Sequence, residues 1–196
     1  MNVLLTTLLS TVILGGYPQD NNIDEALYYA YLPIVDEATY NCKYATPEKV
    51  DVNLLWELVK IEAKQNPPEA LRGMLLAAAC HESGYQPNAL GDFTKRTRRA
   101  RAKGIMQQWK WVEKYGVNRF DPLQAADFWM KHVVRQLKSV KKRCKFRSQK
   151  RLWIAAWVTS IRYPKASGRC YERPLHLRIL KKWKRNVKRK SKLTGC

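Results

Sequence analysis

Acidic residues are almost absent from the last third of this 196-residue chain. Residues 131–196 contain 23 lysines and arginines but only one acid, Glu172, whereas residues 1–94 contain 12 acids and five bases. Because so many cations cannot neutralise one another, a polyanion is the expected neighbour of the C-terminal half. An anionic cell wall, a membrane surface and nucleic acid all fit this expectation.

Motifs of metal and phosphate chemistry are also missing. The five cysteines form no C-x-x-C pair, which excludes the usual zinc-ribbon and thioredoxin-like patterns. His81-Glu82 begins like the H-E-x-x-H motif of zinc proteases, but Tyr85 stands where the second histidine is needed. No glycine-rich loop is available to cradle a phosphate. We therefore expect no metal and no cofactor. We expect His81, His132 and His176 to be structural or solvent-exposed, since they lie in different segments.

One long apolar stretch occupies residues 3–16, and no charged side chain precedes Asp20. A membrane span needs ~20 residues, so this shorter stretch suits the hydrophobic region of a signal peptide. We predict that residues 1–19 are a signal peptide or a membrane-inserting segment. A buried apolar segment is the alternative, because no Lys or Arg precedes the stretch and no A-x-A cleavage site follows it.

Export would allow four of the five cysteines to form two disulfides and would leave one thiol free. Buried or inert thiols fit the sequence equally well, and the spacing chooses no connectivity. The cysteines are Cys42, Cys80, Cys144, Cys170 and Cys196.

The chain divides at Asn66-Pro67-Pro68, which follows two weakly helical stretches. We place an N-terminal helical extension over residues 20–67, the main domain over 68–185 and a basic tail over 186–196. No stretch alternates like a strand for long, so the fold class is mainly α. Residues 88–103 are expected to be an irregular polar loop.

Several helices are predicted after the break. Apolar spacing and a following Gly84 indicate a helix over Leu71–Glu82, and Asp121-Pro122 is a good start for a long amphipathic helix. Two further helices are predicted over Leu152–Val158 and Leu175–Val187.

The helix Leu71–Glu82 ends in a carboxylate that continues an apolar stripe. Leu71, Leu75 and Ala78 precede Glu82 on one face, at steps of four, three and four residues. Burial and the negative end of the helix dipole both favour the protonated acid, which a general acid for glycosidic cleavage requires. A helix-end glutamate paired with an arginine fits the same position.

Two short motifs surround this carboxylate. Glu82–Ala89 reads E-S-G-Y-Q-P-N-A, and Gly104–Gln107 reads G-I-M-Q. They resemble the E-S-x-[FY]-x-P-x-A and G-[LI]-M-Q signatures of the soluble lytic transglycosylase family of peptidoglycan-cleaving enzymes, which is lysozyme-like and related to goose-type lysozyme. Residues 120–122 (F-D-P) and Arg151–Val158 resemble later parts of the same family. The resemblance covers roughly residues 68–185.

The resemblance implies a lysozyme-like helical domain with a basic C-terminal extension, in which Glu82 is the catalytic residue. Glu82 would protonate the glycosidic oxygen of the MurNAc-GlcNAc β-1,4 bond. As a carboxylate it would then accept the proton of the MurNAc 6-hydroxyl, and a 1,6-anhydro end would result. Ser83 would orient Glu82. The expected substrate-binding residues are Ser83, Tyr85, Met106, Gln107 and Trp109.

Ordinary roles exist for some of these residues. Met106 also fits as core filling and Ser83 as a polar residue at a helix end. Among the aromatic residues, Trp109, Trp111 and Tyr115 are the expected sugar platforms, because they follow the G-I-M-Q motif. The helix-spaced Trp129, Trp153 and Trp157 are expected in the core.

The sequence departs from the family pattern in three places. The spacing from Glu82 to Gly104 is longer than usual, and the run Lys95–Lys103 within it carries six cations, which predicts a mobile loop at the rim of the cleft. The family's A-Y-N-x-G segment reads A-W-V-T-S from Ala156, so its sugar-contacting asparagine is absent. The usual tyrosine of the closing segment aligns with His176.

Three functions remain open at this stage. The first is a lytic transglycosylase that acts on peptidoglycan strands, exported to the periplasm or cell envelope or carried in a phage virion. The second is a lysozyme-type hydrolase that uses water, for which Asp92, Glu113 or Asp121 would serve as the second acid. The third is a non-catalytic virion or wall protein of lysozyme-like fold that binds nucleic acid or another anionic polymer.

Overall fold

A computed structural model describes residues 24–161, 170 and 174–193; the predicted apolar segment 1–19, Glu172 and Cys196 lie outside the described residues. The described chain is mainly α-helical, as expected, with a small antiparallel sheet. No helix in the described part is long and apolar enough to cross a membrane. The helices are α1 (Glu25–Asn41), α2 (Val52–Lys64), α3 (Met74–Ser83), α4 (Pro122–Cys144), α5 (Gln149–Ile161) and α6 (His176–Leu193). The strands are β1 (Leu90–Phe93), β2 (Ala100–Lys103) and β3 (Gln108–Trp109).

The predicted helices are present, although α3 begins at Met74 and not at Leu71, and α6 extends to Leu193 and not only to Val187. Two of the helix ends have the expected causes. Asp121 caps α4 by accepting hydrogen bonds from the backbone N–H groups of Leu123 and Gln124, both at 3.0 Å. Gly84 ends α3 in the left-handed conformation, at a φ of 59°. The carbonyl oxygen of Tyr44 lies so close to Gly84 that there is no room for a Cβ atom. Glycine is therefore required where the helix that carries Glu82 ends.

All six helices of the described part contribute to one hydrophobic cluster. It contains Trp56 from α2, Leu75 from α3, Met130 from α4 and Trp157 from α5, all at most 2% exposed. The segments assigned to the N-terminal extension and to the main domain thus pack on the same core. That shared core places the C-terminal end of α3 beside the start of α6.

The sheet corrects the expectation of an irregular loop over residues 88–103. β1 and β2 form a hairpin in which Leu90 lies opposite Lys103 and Phe93 opposite Ala100, and β3 pairs with β2. The backbone N–H of Thr94 donates to the carbonyl of Arg99 at 3.0 Å, so the basic run is part of the hairpin. The strands are short and mostly exposed, and they therefore lack the apolar alternation by which a strand is recognised in a sequence.

The start of α3 is capped by a side chain from another helix. Glu62 of α2, only 1% exposed, accepts hydrogen bonds from the backbone N–H groups of Gly73 at 2.6 Å and Leu75 at 2.7 Å. The hydroxyl of Tyr31 donates to the same carboxylate at 2.9 Å. These bonds satisfy N–H groups that a helix start leaves without partners. Burial raises the pKa of Glu62 to about 7, against the lowering effect of the three hydrogen bonds.

The expected basic tail, residues 186–196, is helical as far as Leu193 and packs against α1. Glu37 of α1 is 0% exposed, and its carboxylate pairs with Lys190 at 2.8 Å and accepts a hydrogen bond from Asn186 at 2.8 Å. The tail is therefore not a frayed terminus over its described part. A cation of the basic half neutralises a buried acid of the acidic half, which charge counting alone did not reveal.

Two disulfides cross-link the chain. Cys42 at the end of α1 is bonded to Cys80 of α3, and Cys144 at the end of α4 is bonded to Cys170. Four of the five cysteines thus pair, as the export hypothesis allowed. The first bond anchors α3 two residues before Glu82.

Candidate active site

The carboxylate of Glu82 lies in the last turn of α3 with its side chain 26% exposed. Its Oε1 is 2.7 Å from Nε2 of His176, the first residue of α6. The two residues are 94 positions apart in the sequence. The site therefore depends on the packing of α6 against α3. Glu82 lies at the edge of the core and is partly exposed to solvent.

His176 is held between rings. Its side chain is 3% exposed, the Trp157 ring stacks on it with centroids 5.7 Å apart, and the His81 ring meets it edge-on at 4.7 Å. Nδ1 of His176 is buried and has no hydrogen-bond partner among the described residues. With the ring fixed in this way, Nε2 is the nitrogen that meets the carboxylate and limits its rotation.

Two of the three histidines lie together in the structure although they belong to different segments of the sequence. His81 and His176 adjoin Glu82, whereas His132 lies on α4 near the rings of Trp111 and Phe128. Burial and the neighbouring His176 lower the pKa of His81, while Glu82 acts in the opposite direction. Ligand-type atoms of His81, Glu82 and His176 lie within 4.8 Å of one another, and among the described residues this cluster is the one suited to hold a metal ion.

Ser83 links the two sequence motifs instead of orienting Glu82. Its hydroxyl donates to the carbonyl oxygen of Ile105 at 2.9 Å, and the carbonyl of Ala79 lies 3.2 Å away. Ile105 belongs to the Gly104–Gln107 segment. The hydrogen bond therefore fixes that segment to the end of α3, and the predicted role of Ser83 is corrected accordingly.

Tyr85 and Met106 are core residues and not part of a binding surface. Tyr85 is 3% and Met106 4% exposed, and both belong to the hydrophobic cluster. Burial raises the pKa of the Tyr85 hydroxyl well above its usual value. Neither side chain is placed to bind substrate as expected, because both face other side chains of the core.

Gln107 is half-buried beside the hairpin. Its Nε2 donates to the carbonyl oxygens of Gly104 at 2.9 Å and Ala89 at 3.2 Å, which occupies both amide hydrogens. Its Oε1 lies so close to Gly91 that a Cβ atom there would collide with it. Gln107 thus presents only an acceptor oxygen for a ligand, which would have to donate an N–H or O–H.

Trp109 remains exposed, as a sugar platform must be. Its ring is 47% exposed, its Nε1 donates to Asp92 at 3.0 Å, and the Arg101 guanidinium lies 5.8 Å from the ring centroid. Of the other expected platforms, Tyr115 is 55% exposed, while Trp111 packs partly buried in a small second cluster. The three tryptophans expected in the core, Trp129, Trp153 and Trp157, are buried.

The carboxylates considered as a second acid are each engaged elsewhere. Asp92 binds the indole of Trp109, and Asp121 caps α4. Glu113 forms an ion pair with Arg119 at 2.6 Å. Their contacts account for their positions without a catalytic role.

Searches against family models, curated proteins and solved structures found no match to this chain.

Proposed function

We propose that this protein is a peptidoglycan lytic transglycosylase of lysozyme-like fold, with Glu82 as its single acid and base. One observation carries the proposal. The two motifs that resemble the family are joined by the hydrogen bond from Ser83 to Ile105, beside a partly exposed Glu82. A substrate cleft between the end of α3 and the hairpin would have Glu82 on one side and Gln107 and Trp109 on the other.

The proposed reaction proceeds in two proton transfers. Protonated Glu82 gives its proton to the glycosidic oxygen as the bond from that oxygen to C1 of MurNAc breaks. The carboxylate then takes the proton of the C6 hydroxyl, whose oxygen bonds to C1 and closes the 1,6-anhydro ring. Glu82 ends protonated, and no water is consumed.

In this scheme His176 positions the catalytic carboxylate. We assign the proton to Nε2, which then donates to Oε1 at 2.7 Å. Oε2 is left to carry the proton towards the substrate. The stacked Trp157 holds the imidazole in place, so that Oε1 stays hydrogen-bonded and Oε2 is the oxygen that faces the substrate.

A single-carboxylate mechanism is also supported by the engaged state of Asp92, Glu113 and Asp121. An inverting hydrolase would need one of them to leave its partner and activate water opposite the acid. The two disulfides support an oxidising location, such as the periplasm, the cell envelope or a virion.

Analysis of reaction products tests the proposal. Purified sacculi are digested with the full chain, and the released muropeptides are weighed by mass spectrometry. We expect 1,6-anhydro ends, which are lighter by one water than the reducing ends that a hydrolase leaves. Reducing ends would favour the lysozyme-type alternative, and no released sugar would contradict both enzymatic proposals.

The alternative of a nucleic-acid-binding protein is favoured by one observation, the basic exposed face of α6. Lys181, Arg185 and Lys188 are exposed on it, whereas Lys190 is paired with the buried Glu37. A deletion of residues 187–196 would remove that pairing, so point substitutions are the better test.

We predict that replacing Lys181, Arg185 and Lys188 by glutamine weakens binding to sacculi on the order of tenfold at physiological salt. Added salt should likewise weaken the binding of the unchanged protein to sacculi. The control variant removes the same number of charges from the acidic half, and its binding to sacculi should change little. Its substitutions are Lys43→Gln, Lys49→Gln and Lys64→Gln. Tight DNA binding without sugar release would favour the non-catalytic alternative, and equal losses in both variants would exclude a specific role for α6.

A further inference from the structure

The cluster of His81, Glu82 and His176 has a composition that acid catalysis alone does not require. A general acid needs one carboxylate and one group to hold it, and His176 already supplies the second. His81 adds another imidazole, at 4.7 Å from the His176 ring. Two imidazoles and one carboxylate are the ligand set of many open zinc sites, in which a water takes the fourth position.

The distances between the ligand atoms of this cluster suit a metal ion after a small rotation of two side chains. Ligand atoms of the three residues lie within 4.8 Å of one another, whereas bonds of about 2.0–2.2 Å to a tetrahedral zinc place ligands roughly 3.3 Å apart. His176 is buried and fixed by Trp157. His81 and Glu82 are half-buried residues of the last helical turn, so their side chains can rotate towards it.

We propose that His81, Glu82 and His176 bind one Zn²⁺ ion, and that the bound ion blocks the active site. Imidazole nitrogen favours Zn²⁺ over Mg²⁺ and Ca²⁺, which prefer all-oxygen sites. Binding breaks the hydrogen bond between Glu82 and His176. The imidazole proton moves from Nε2 to Nδ1 of His176 so that Nε2 can bind the metal, and a protonated Glu82 releases its proton to solvent.

The inhibition follows from the role of Glu82 and so depends on the function proposed above. A carboxylate bound to zinc carries no proton to donate, and its ligating oxygen is not free to accept one. Metal binding itself does not depend on that function. The site would therefore exist even in a protein that cleaves no glycan.

Calorimetric titration with ZnCl₂ tests the binding. The full-length, disulfide-bonded chain is used with Cys196→Ser, because the fifth cysteine has a thiol that also binds zinc. We expect one zinc ion per chain. His81→Gln and His176→Gln should each raise the dissociation constant at least about tenfold. His132→Gln is the matched control, since it changes the third histidine of the chain and should leave binding unaltered.

Circular dichroism verifies that each variant is folded. If His176→Gln does not fold, the result with His81→Gln alone decides the test. Absence of zinc binding at up to about 100 µM metal, or equal binding by His81→Gln and the unchanged protein, would overturn the proposal. Inhibition is measured as the ratio of sacculus-digestion rates with and without zinc, and that ratio should approach one in His81→Gln. Zinc binding without any lytic activity would instead contradict the proposed function and leave the metal site established.

Discussion

Replacing Glu82 by glutamine should reduce release of muropeptides from sacculi by ~10²–10⁴-fold, the usual effect of removing an acid–base group. Glutamine keeps the shape of the side chain, and its amide oxygen still accepts a hydrogen bond from Nε2 of His176. It supplies no proton to the leaving oxygen and recovers none from the C6 hydroxyl. The loss should therefore appear in the rate of bond cleavage and leave binding to sacculi nearly unchanged.

The matched control is Glu57→Gln. Glu57 lies on α2 and forms a surface ion pair with Lys60 at 2.7 Å, so the same chemical change there should alter neither activity nor fold. Both variants are compared at equal concentration after their unfolding transitions are measured. If Glu82→Gln keeps more than a tenth of the original activity, Glu82 is not the general acid.

The helices and the position of Glu82 were accessible from the sequence because their causes are local. Asp121 before Pro122 caps a helix by its own side chain, and Gly84 ends α3 by its own left-handed conformation. Periodic apolar residues likewise indicate which face is buried. These signals depend on neighbours a few residues away, which a single sequence contains in full.

The rest of the site is made by contacts between distant segments. His176 meets Glu82 across 94 residues, and Lys190 meets the buried Glu37. Neither pair leaves a periodic signal, because each residue looks like an ordinary polar residue within its own helix. The alignment of His176 with the family's closing tyrosine was the one available indication of the first contact. The hairpin was missed because its residues are exposed and charged.

The capping of α3 by Glu62 is another such contact, and its removal should have a large effect on stability. Glu62→Gln keeps one acceptor oxygen but places an NH₂ group where the second oxygen accepts a backbone N–H. A buried N–H group of Gly73 or Leu75 then loses its partner, at a cost of about 1–3 kcal/mol. We expect the free energy of unfolding at pH 5 to fall by about 1–3 kcal/mol, measured by denaturant titration with the disulfides intact. Glu57→Gln again serves as the control and should change the free energy of unfolding by less than about 0.5 kcal/mol.

The pH dependence of this loss gives a second, independent measurement. Burial raises the pKa of Glu62 from 4.5 to about 7, so the folded chain binds this proton more tightly than the unfolded chain does. The resulting stabilisation is fully present below pH 4.5 and is lost as the pH rises through 7. The stability difference between the unchanged protein and Glu62→Gln should therefore shrink from pH 5 to pH 8, by up to about 3 kcal/mol. A difference that stays constant from pH 5 to pH 8 would mean that the three hydrogen bonds outweigh burial, that Glu62 is already ionised in the folded protein at pH 5, and that the effect comes from the lost cap alone.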